Sequence, residues 1–267
     1  MPEGPEVRIT ADLLTKWLVG RTLSKMIISD GLDQFRAEYE KMIKSGIKFT
    51  KVGCKGKLIY IEMTLNTTAH NQYLYMTNHM MLTGRWTDQK LPKQTPRCTI
   101  ELADSDAPMV YFYDTRMFGK FAIMNAKSLK EKLAELGPDV MSAAFNELAF
   151  TDMVGRSGGK NVAMFISDQS IMSGIGNYLR SEVLYVARVS PFRKVGTLEQ
   201  AELDVLYDTL KSVPKEVYNA GGTEKYIGTG AYQFKVYGQS YDPKGNPIES
   251  EKLGGQTIWY VPTVQKI

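Results

Sequence analysis

The chain has 267 residues, 43% hydrophobic and 23% charged, ordinary for a soluble globular protein and long enough for one large domain or two modest ones. No segment approaches the run of roughly 18 apolar residues that a membrane span needs, and the start, MPEGPEVRIT, has neither the basic nor the apolar stretch of a secretory signal. Lys and Arg number 33 against 29 Asp and Glu, a net charge of +4 that is compatible with a polyanionic partner. The two cysteines, Cys54 and Cys98, suit a reducing compartment and read as small core residues.

In chain order, an extended start leads into a helix. Pro5 suits its first turn, Glu3 and Glu6 suit the positive N-terminal end, and Val7, Ala11, Leu14 and Leu18 share a face that Gly20 terminates. From Thr22 to about Ile123 the pattern is strand-like. KLIYIEM, QYLYMTNHM, RCTIEL, MVYFYD and GKFAIM are β-branched or aromatic runs between polar or Gly/Pro breaks, and they predict a sandwich or barrel of mainly antiparallel strands. KSLKEKLAEL is amphipathic and helical up to Gly137-Pro138. NVAMFISDQ, NYLRSEVLYVA and LEQAELDVLYDTLKSV follow as helices, with Thr197 and Gln200 expected to form a capping box for the last. A Gly-rich stretch, NAGGTEKYIGTGAYQ, precedes a β-like tail of FKVYG, the turn DPKGNP, the Gly254-Gly255 turn and TIWYV. No internal repeat is present.

Several residues carry chemistry. Removal of Met1 would leave Pro2 with a free secondary amine, and an α-amino group of pKa about 8 is partly neutral and nucleophilic near neutral pH. Such an amine forms a Schiff base with a sugar carbon, and Glu3 beside it could act as general acid or base. Alone, MPE is simply a common way to start a helix. The GIGN turn, Gly174 to Asn177, lies between two apolar helices and offers backbone N–H groups in the manner of a phosphate site, although an interhelical turn has the same look. In KGKL, Lys55 and Lys57 enter a strand; Lys57 could reach a phosphate, where a solvated lysine is the default.

PEGPEV, KGKL, HMMLTG, DTRMFG, LGPDV, DQSIMSGIGNYLRSEVLYVARVSP and GGQTIWYVPTVQK run in this order from Pro2 to Lys266. Together they resemble the formamidopyrimidine-DNA glycosylase/endonuclease VIII family. The resemblance implies an α+β chain. Its N-terminal β-sandwich with a leading helix would span 1–130 and a linker 131–150. A helix–two-turn–helix domain, 151–267, would end in a β-hairpin finger at about 233–267. In that family the N-terminal proline, here Pro2, attacks C1′ of the damaged nucleotide. Glu3 assists base release and ring opening, and β- and δ-elimination follow. Glu6 supports the active-site end of the helix, and Lys57, His79 and Asn177 are the positions that contact DNA phosphate. Such enzymes flip the damaged base out and fill the hole. By motif position the fillers are Leu82, Arg116 and Phe118, two apolar wedges and an arginine able to hydrogen-bond the orphaned base.

Two departures stand out. The family's finger is often a zinc finger, but residues 233–267 contain no cysteine or histidine, and Cys54, Cys98, His70 and His79 lie in the β-rich half. The chain therefore resembles the zincless-finger branch, with no metal and no cofactor expected. In place of the finger arginine stands Gln256, which loses a charge-assisted phosphate contact, with Lys244 and Lys252 the nearby cations. PEGPE, with Gly4, is the start found in the endonuclease VIII branch and favours oxidised pyrimidines, with 8-oxoguanine and formamidopyrimidine the alternative. The Gly221–Gly230 loop aligns with the family's lesion-capping loop. The expected partner is damaged duplex DNA, with no membrane and a monomeric, intracellular protein, in nucleus or nucleoid. Gln256 and the missing metal motivate a second reading, a lesion or abasic-site binder without catalysis. An RNA-binding helix–two-turn–helix protein explains neither PEGPE nor the two wedge loops.

Overall fold

Helix α1 (Gly4–Leu18) forms where Pro5 presets the first turn and Glu6 faces the positive end of the helix. Val7, Leu14 and Leu18, on one face, are almost fully buried. The computed structural model describes residues 1–29, 31–42, 46–66, 71–104 and 106–265, with the backbone alone at 41, 42, 66, 71, 72 and 225. His70 and Lys266, both named above, lie outside the described residues. The chain divides into two units, Met1–Pro2 with Glu6–Glu135, and Glu3–Pro5 with Leu136–Ile267.

The first unit is a β-sandwich. β1 (Leu23–Ile28), β6 (Cys98–Leu102), β7 (Val110–Tyr113) and β5 (Arg85–Thr87) form one four-stranded sheet in the order β1-β6-β7-β5. β2 (Ile47–Lys55), β3 (Leu58–Asn66), β4 (Asn71–His79) and β8 (Lys120–Met124) form the other, and every pairing is antiparallel. Phe49, Ile59, Ile61 and Met76 from one sheet share a single core with Ile100, Phe112 and Trp86 from the other. Cys98 sits in that core, and burial pushes its thiol up to about 12, so it is inert packing, as its sequence context implied. One element departs from the strand-only expectation between Thr22 and Ile123. Helix α2 (Asp33–Met42) buries Phe35 and Tyr39, four residues apart, and the Tyr39 hydroxyl accepts from Met26 N at 3.0 Å. A single pair of apolar residues is too weak a periodicity to announce a helix among strands. α3 (Ala126–Ala134), with Asn125 as its cap, ends the unit.

The second unit is helical: α4 (Glu147–Ser157), α5 (Val162–Ser167), α6 (Asn177–Val186), α7 (Gln200–Asn219) and α8 (Glu224–Ile227), then the hairpin of β9 (Glu249–Leu253) and β10 (Gln256–Tyr260). Residues 131–150, set apart in the sequence as a linker, contain the last turn of α3 and the start of α4, whose cap is Asn146. α7 continues through Pro214 to Asn219, where the sequence pattern stops at Val213; a proline inside a helix removes one backbone bond but does not end it when both flanks are packed. Its capping box is Glu199 with Glu202 rather than Thr197 with Gln200. Thr197 instead belongs to a 3₁₀ turn and donates its hydroxyl to Lys194 O at 2.8 Å.

FKVYG is not a strand. The N–H groups of Lys235, Val236 and Tyr237 turn inward and donate to the Glu182 carboxylate, each at 2.9 Å, and the Tyr232 hydroxyl donates at 2.9 Å. Glu182 is fully buried on α6, so these four donors replace its hydration. Burial, followed by Glu182, pushes the Tyr232 phenol far up. Glu182→Ala should therefore cost about 3 kcal/mol or more, because it orphans several buried donors at once. Urea unfolding and hydrogen exchange should show the loss together with deprotection of the 235–237 amides; unchanged exchange there would contradict the account.

Candidate functional site

Pro2 and Glu3 are both buried at the head of α1. The Glu3 carboxylate reaches the N-terminus of α6. Its Oε2 accepts from Gly176 N at 2.7 Å and Leu179 N at 3.2 Å, and Oε1 accepts from Tyr178 N at 2.9 Å. α6 has no cap from its own preceding side chain, so Glu3 serves as one across 173 residues of sequence. This corrects the reading of the GIGN turn as a phosphate cradle. Within the turn, Gly176 N is already held by this anion of the same chain and Gly174 N donates to Gln169 Oε1 at 3.1 Å, while Tyr178 N and Leu179 N follow on α6. Gly4 N donates to Gly174 O at 2.9 Å, and a Cβ on Gly4 would lie 3.1 Å from Gly174 Cα. The glycine in PEGPE therefore answers first to this close approach, with Gly174 itself at φ +107°.

Asn177 opens α6 and is partly exposed, and its Oδ1 is buried without a partner. One turn on lies Arg180, a residue that motif reasoning passed over and among the largest fully buried side chains. Its Nη2 donates to Leu253 O at 3.3 Å and Gln256 O at 3.4 Å, the carbonyls flanking the hairpin turn. Burial pulls the guanidinium down, and the charge of Glu3 opposes that shift. Arg180 thus ties the finger tip to the helix that Glu3 caps. Gly254 in the turn lies so close to Met164 that a Cβ there would fall 2.2 Å from the sulfur. Gln256 is exposed beside it, uncharged.

No thiolate or imidazole is available in 233–267, and aromatic packing braces the hairpin. Tyr237 contacts Trp259 at 4.5 Å and Phe234 at 5.0 Å between centroids, and Phe192 meets Tyr260 at 4.9 Å. Asp242 organises the preceding turn by accepting from Lys244 N, Asn246 N and the Tyr185 hydroxyl at 2.8–3.0 Å.

The β-rich unit carries the other expected residues. Glu6 is fully buried in α1. Lys57 sits partly exposed in the β2–β3 turn, whereas Lys55 spends its ammonium on Leu133 O at 2.8 Å, near the C-terminal end of α3. His79, at the end of β4, hydrogen-bonds the Lys57 backbone. Leu82 is half-buried in the turn after β4, and Arg116 and Phe118 are exposed in the turn before β8, with Arg116 Cζ 5.2 Å over the Phe118 ring. Among the described residues, no three His, Cys, Asp or Glu side chains converge as a metal site.

Burial, then Lys132 and Lys120, hold the His79 imidazole below its ordinary 6.5, with the Lys57 hydrogen bond opposing. In the window between the depressed native value and 6.5 the unfolded chain binds more protons than the folded one, so stability is lost as pH falls. Denaturation midpoints measured between about pH 7.5 and about pH 5.5 should drop on the acid side for the wild type and drop less for His79→Gln.

Residues 1–121 match the family model for the formamidopyrimidine-DNA glycosylase N-terminal domain, and residues 136–226 match that of its H2TH domain. The formamidopyrimidine-DNA glycosylase of Listeria monocytogenes serotype 4b is 26% identical over 287 residues, covering 100% of both chains. Endonuclease 8 of Pectobacterium atrosepticum is 25% identical over 277 residues, covering 99% of this chain and 100% of its own. Among solved structures, the MutM (Fpg) protein of Thermus thermophilus superposes with a TM-score of 0.82 at 26% identity, covering 99% of this chain and 98% of that one. Lactococcus lactis Fpg in complex with abasic-site DNA gives 0.84 at 20% identity, covering 99% and 100%. Sandwich, H2TH helices and terminal hairpin define a DNA glycosylase of the two-domain class. The chain belongs to the formamidopyrimidine-DNA glycosylase/endonuclease VIII family.

Proposed function

We propose that this chain is a bifunctional glycosylase and abasic-site lyase that excises oxidised bases from duplex DNA, pyrimidines in preference, with Pro2 as nucleophile. The observation that carries the reading is the buried N-terminal segment, in which Pro2 directly precedes a glutamate whose carboxylate is locked by three N–H donors. With Met1 removed, the Pro2 nitrogen is a secondary amine. It adds to C1′ of the lesion nucleotide as the base departs with a proton, and opening of the sugar ring leaves an iminium. A secondary amine gives an iminium with no N–H to lose, so the positive charge stays as an electron sink. Loss of the C2′ proton expels the 3′-phosphate, a second elimination expels the 5′-phosphate, and water releases the sugar fragment and restores Pro2.

Glu3 stands next to this developing cation, and its fixed orientation suits electrostatic stabilisation of it as well as proton transfer at the sugar. Lys57, His79 and Asn177 are assigned to phosphates, and Leu82, Arg116 and Phe118 to the space left by the flipped base. The finger belongs to the zincless kind, braced by Arg180, Asp242 and the aromatic cluster. The endonuclease VIII-like PEGPE start supports pyrimidine preference, and Gly4 acts there through its packing on Gly174 rather than by reading the base.

Borohydride reduction of the Met1-processed protein with a thymine glycol or abasic-site duplex should give a covalent adduct that Pro2→Ala lacks. Binding without an adduct would replace the enzyme with a lesion binder, and equal trapping on 8-oxoguanine would remove the pyrimidine preference.

Gln256→Arg restores a charge at an exposed fingertip. It should tighten DNA binding about fivefold at low salt and steepen the logarithmic salt dependence by about 1, as one added phosphate contact does. Parallel salt titrations of the two proteins would show otherwise if their slopes coincide.

A further inference from the structure

Two loops carry the residues assigned to the vacated base position: Met80–Gly84, with Leu82, and Asp114–Gly119, with Arg116 and Phe118. We infer that Asp114 and Thr83 are positioning residues that fasten these loops into one rigid wedge, an inference that rests on the glycosylase reading above.

Asp114 follows β7 and its side chain is fully buried. Oδ1 accepts the Thr83 hydroxyl, from the other loop, and also Arg116 N at 3.3 Å. Oδ2 accepts Gly119 N at 2.6 Å and lies 3.6 Å from Arg97 Nη1. The Thr83 oxygen in turn accepts Arg116 N at 3.2 Å, so it holds both the carboxylate and the backbone of the opposite loop. Arg97, itself buried, donates from Nη1 to Gly119 O and from Nη2 to Gly31 O, both at 3.3 Å. One carboxylate thus gathers donors from the backbone of its own loop, a hydroxyl of the other loop and a guanidinium from β6's leading edge. Each loop is also closed on itself, by Gly84 N to Met80 O at 2.9 Å and Met117 N to Asp114 O at 3.2 Å.

The backbone gives an independent sign. Met81 has φ +55° and Met117 φ +57°, and each immediately precedes an assigned wedge residue, Leu82 and Phe118. Left-handed backbone at an unbranched non-glycine residue persists where surrounding contacts over-determine it, and such residues concentrate at functional positions. The same device appears in both loops, with the Asp114 network between them. Its use follows from the task. Side chains that enter a base stack work against stacking energy, and loops ordered only on contact would lose affinity to the entropy of ordering. A hub that orders both loops beforehand removes that loss and fixes the spacing between the apolar wedge of Leu82 and the stacked Arg116–Phe118 pair.

Asp114→Asn would also strip Arg97 of its partner and endanger the fold. Thr83→Val keeps the shape and removes the hydroxyl, and Thr83→Ser restores it. Two measurements decide. In the first, binding is followed by the fluorescence of 2-aminopurine placed opposite a tetrahydrofuran abasic analogue, which reports unstacking without chemistry. Thr83→Val should lose about fivefold in the affinity of the unstacked complex, the worth of one hydrogen bond, and Thr83→Ser should recover it. In the second, borohydride trapping is compared on the same abasic strand as duplex and as single strand. The duplex-to-single-strand ratio should fall about fivefold in Thr83→Val, since an unpaired strand asks nothing of the wedge. Unaltered fluorescence, or a fall without recovery in Thr83→Ser, overturns the inference. A wild-type protein that unstacks the probe but traps nothing overturns the glycosylase reading and leaves the wedge standing.

Discussion

The helical unit is organised by a carboxylate set into the N-terminus of α6. Glu3 arrives there from the far end of the sequence and satisfies three of the N–H groups that a helix start leaves open. Those groups carry the positive end of the helix dipole, so the contact is favourable by geometry and by charge. Everything else attached to α6 inherits this fixed point. Arg180 holds the carbonyls of the hairpin turn, Glu182 gathers the 235–237 backbone, and Tyr185 reaches Asp242 in the turn before the hairpin. Pro2, the proposed nucleophile, is therefore bonded directly to the residue that caps α6.

Buried charge is used the same way three times. Glu3, Glu182 and Asp114 are each removed from water, and each accepts three or more donors, most of them backbone N–H groups. Backbone donors are cheap partners for a buried anion, because they need partners themselves and lose no rotamer freedom on pairing. Arg180 and Arg97 complete the pattern from the cationic side. Each has an Nε with no hydrogen-bond partner among the described residues.

Much of this was legible in the sequence, and what escaped did so for physical reasons. The strands from KLIYIEM to GKFAIM, the N-terminal helix and the terminal hairpin follow from alternation and turn chemistry, which are local. α2 escaped because two aromatic residues in ten make a faint stripe, and α4 because a Gly and two Thr/Ser residues dilute its helical signal. FKVYG alternates like a strand but obeys Glu182, a tertiary partner some fifty residues away. The ordered motifs placed Pro2, Lys57, His79, Leu82, Arg116, Phe118 and Asn177 on turns and element ends, where functional side chains are expected. They did not show that Gly176 N and the first amides of α6 already have an anion, because that contact joins residues 173 apart. Nor did they single out Arg180, Thr83 or Asp114, whose importance lies in what they touch rather than in their type.

The hairpin held by Arg180, Asp242 and stacked aromatic rings has a consequence for the chemistry of its surroundings. A finger built on metal–thiolate bonds comes apart when a chelator takes the ion or an oxidant converts the sulfurs. Here the tip is fixed by carbonyl–guanidinium contacts and ring packing, and residues 233–267 offer no thiol. An oxidant finds no thiolate in residues 233–267 to attack, so the contacts that hold this tip contain no metal–thiolate bond to lose.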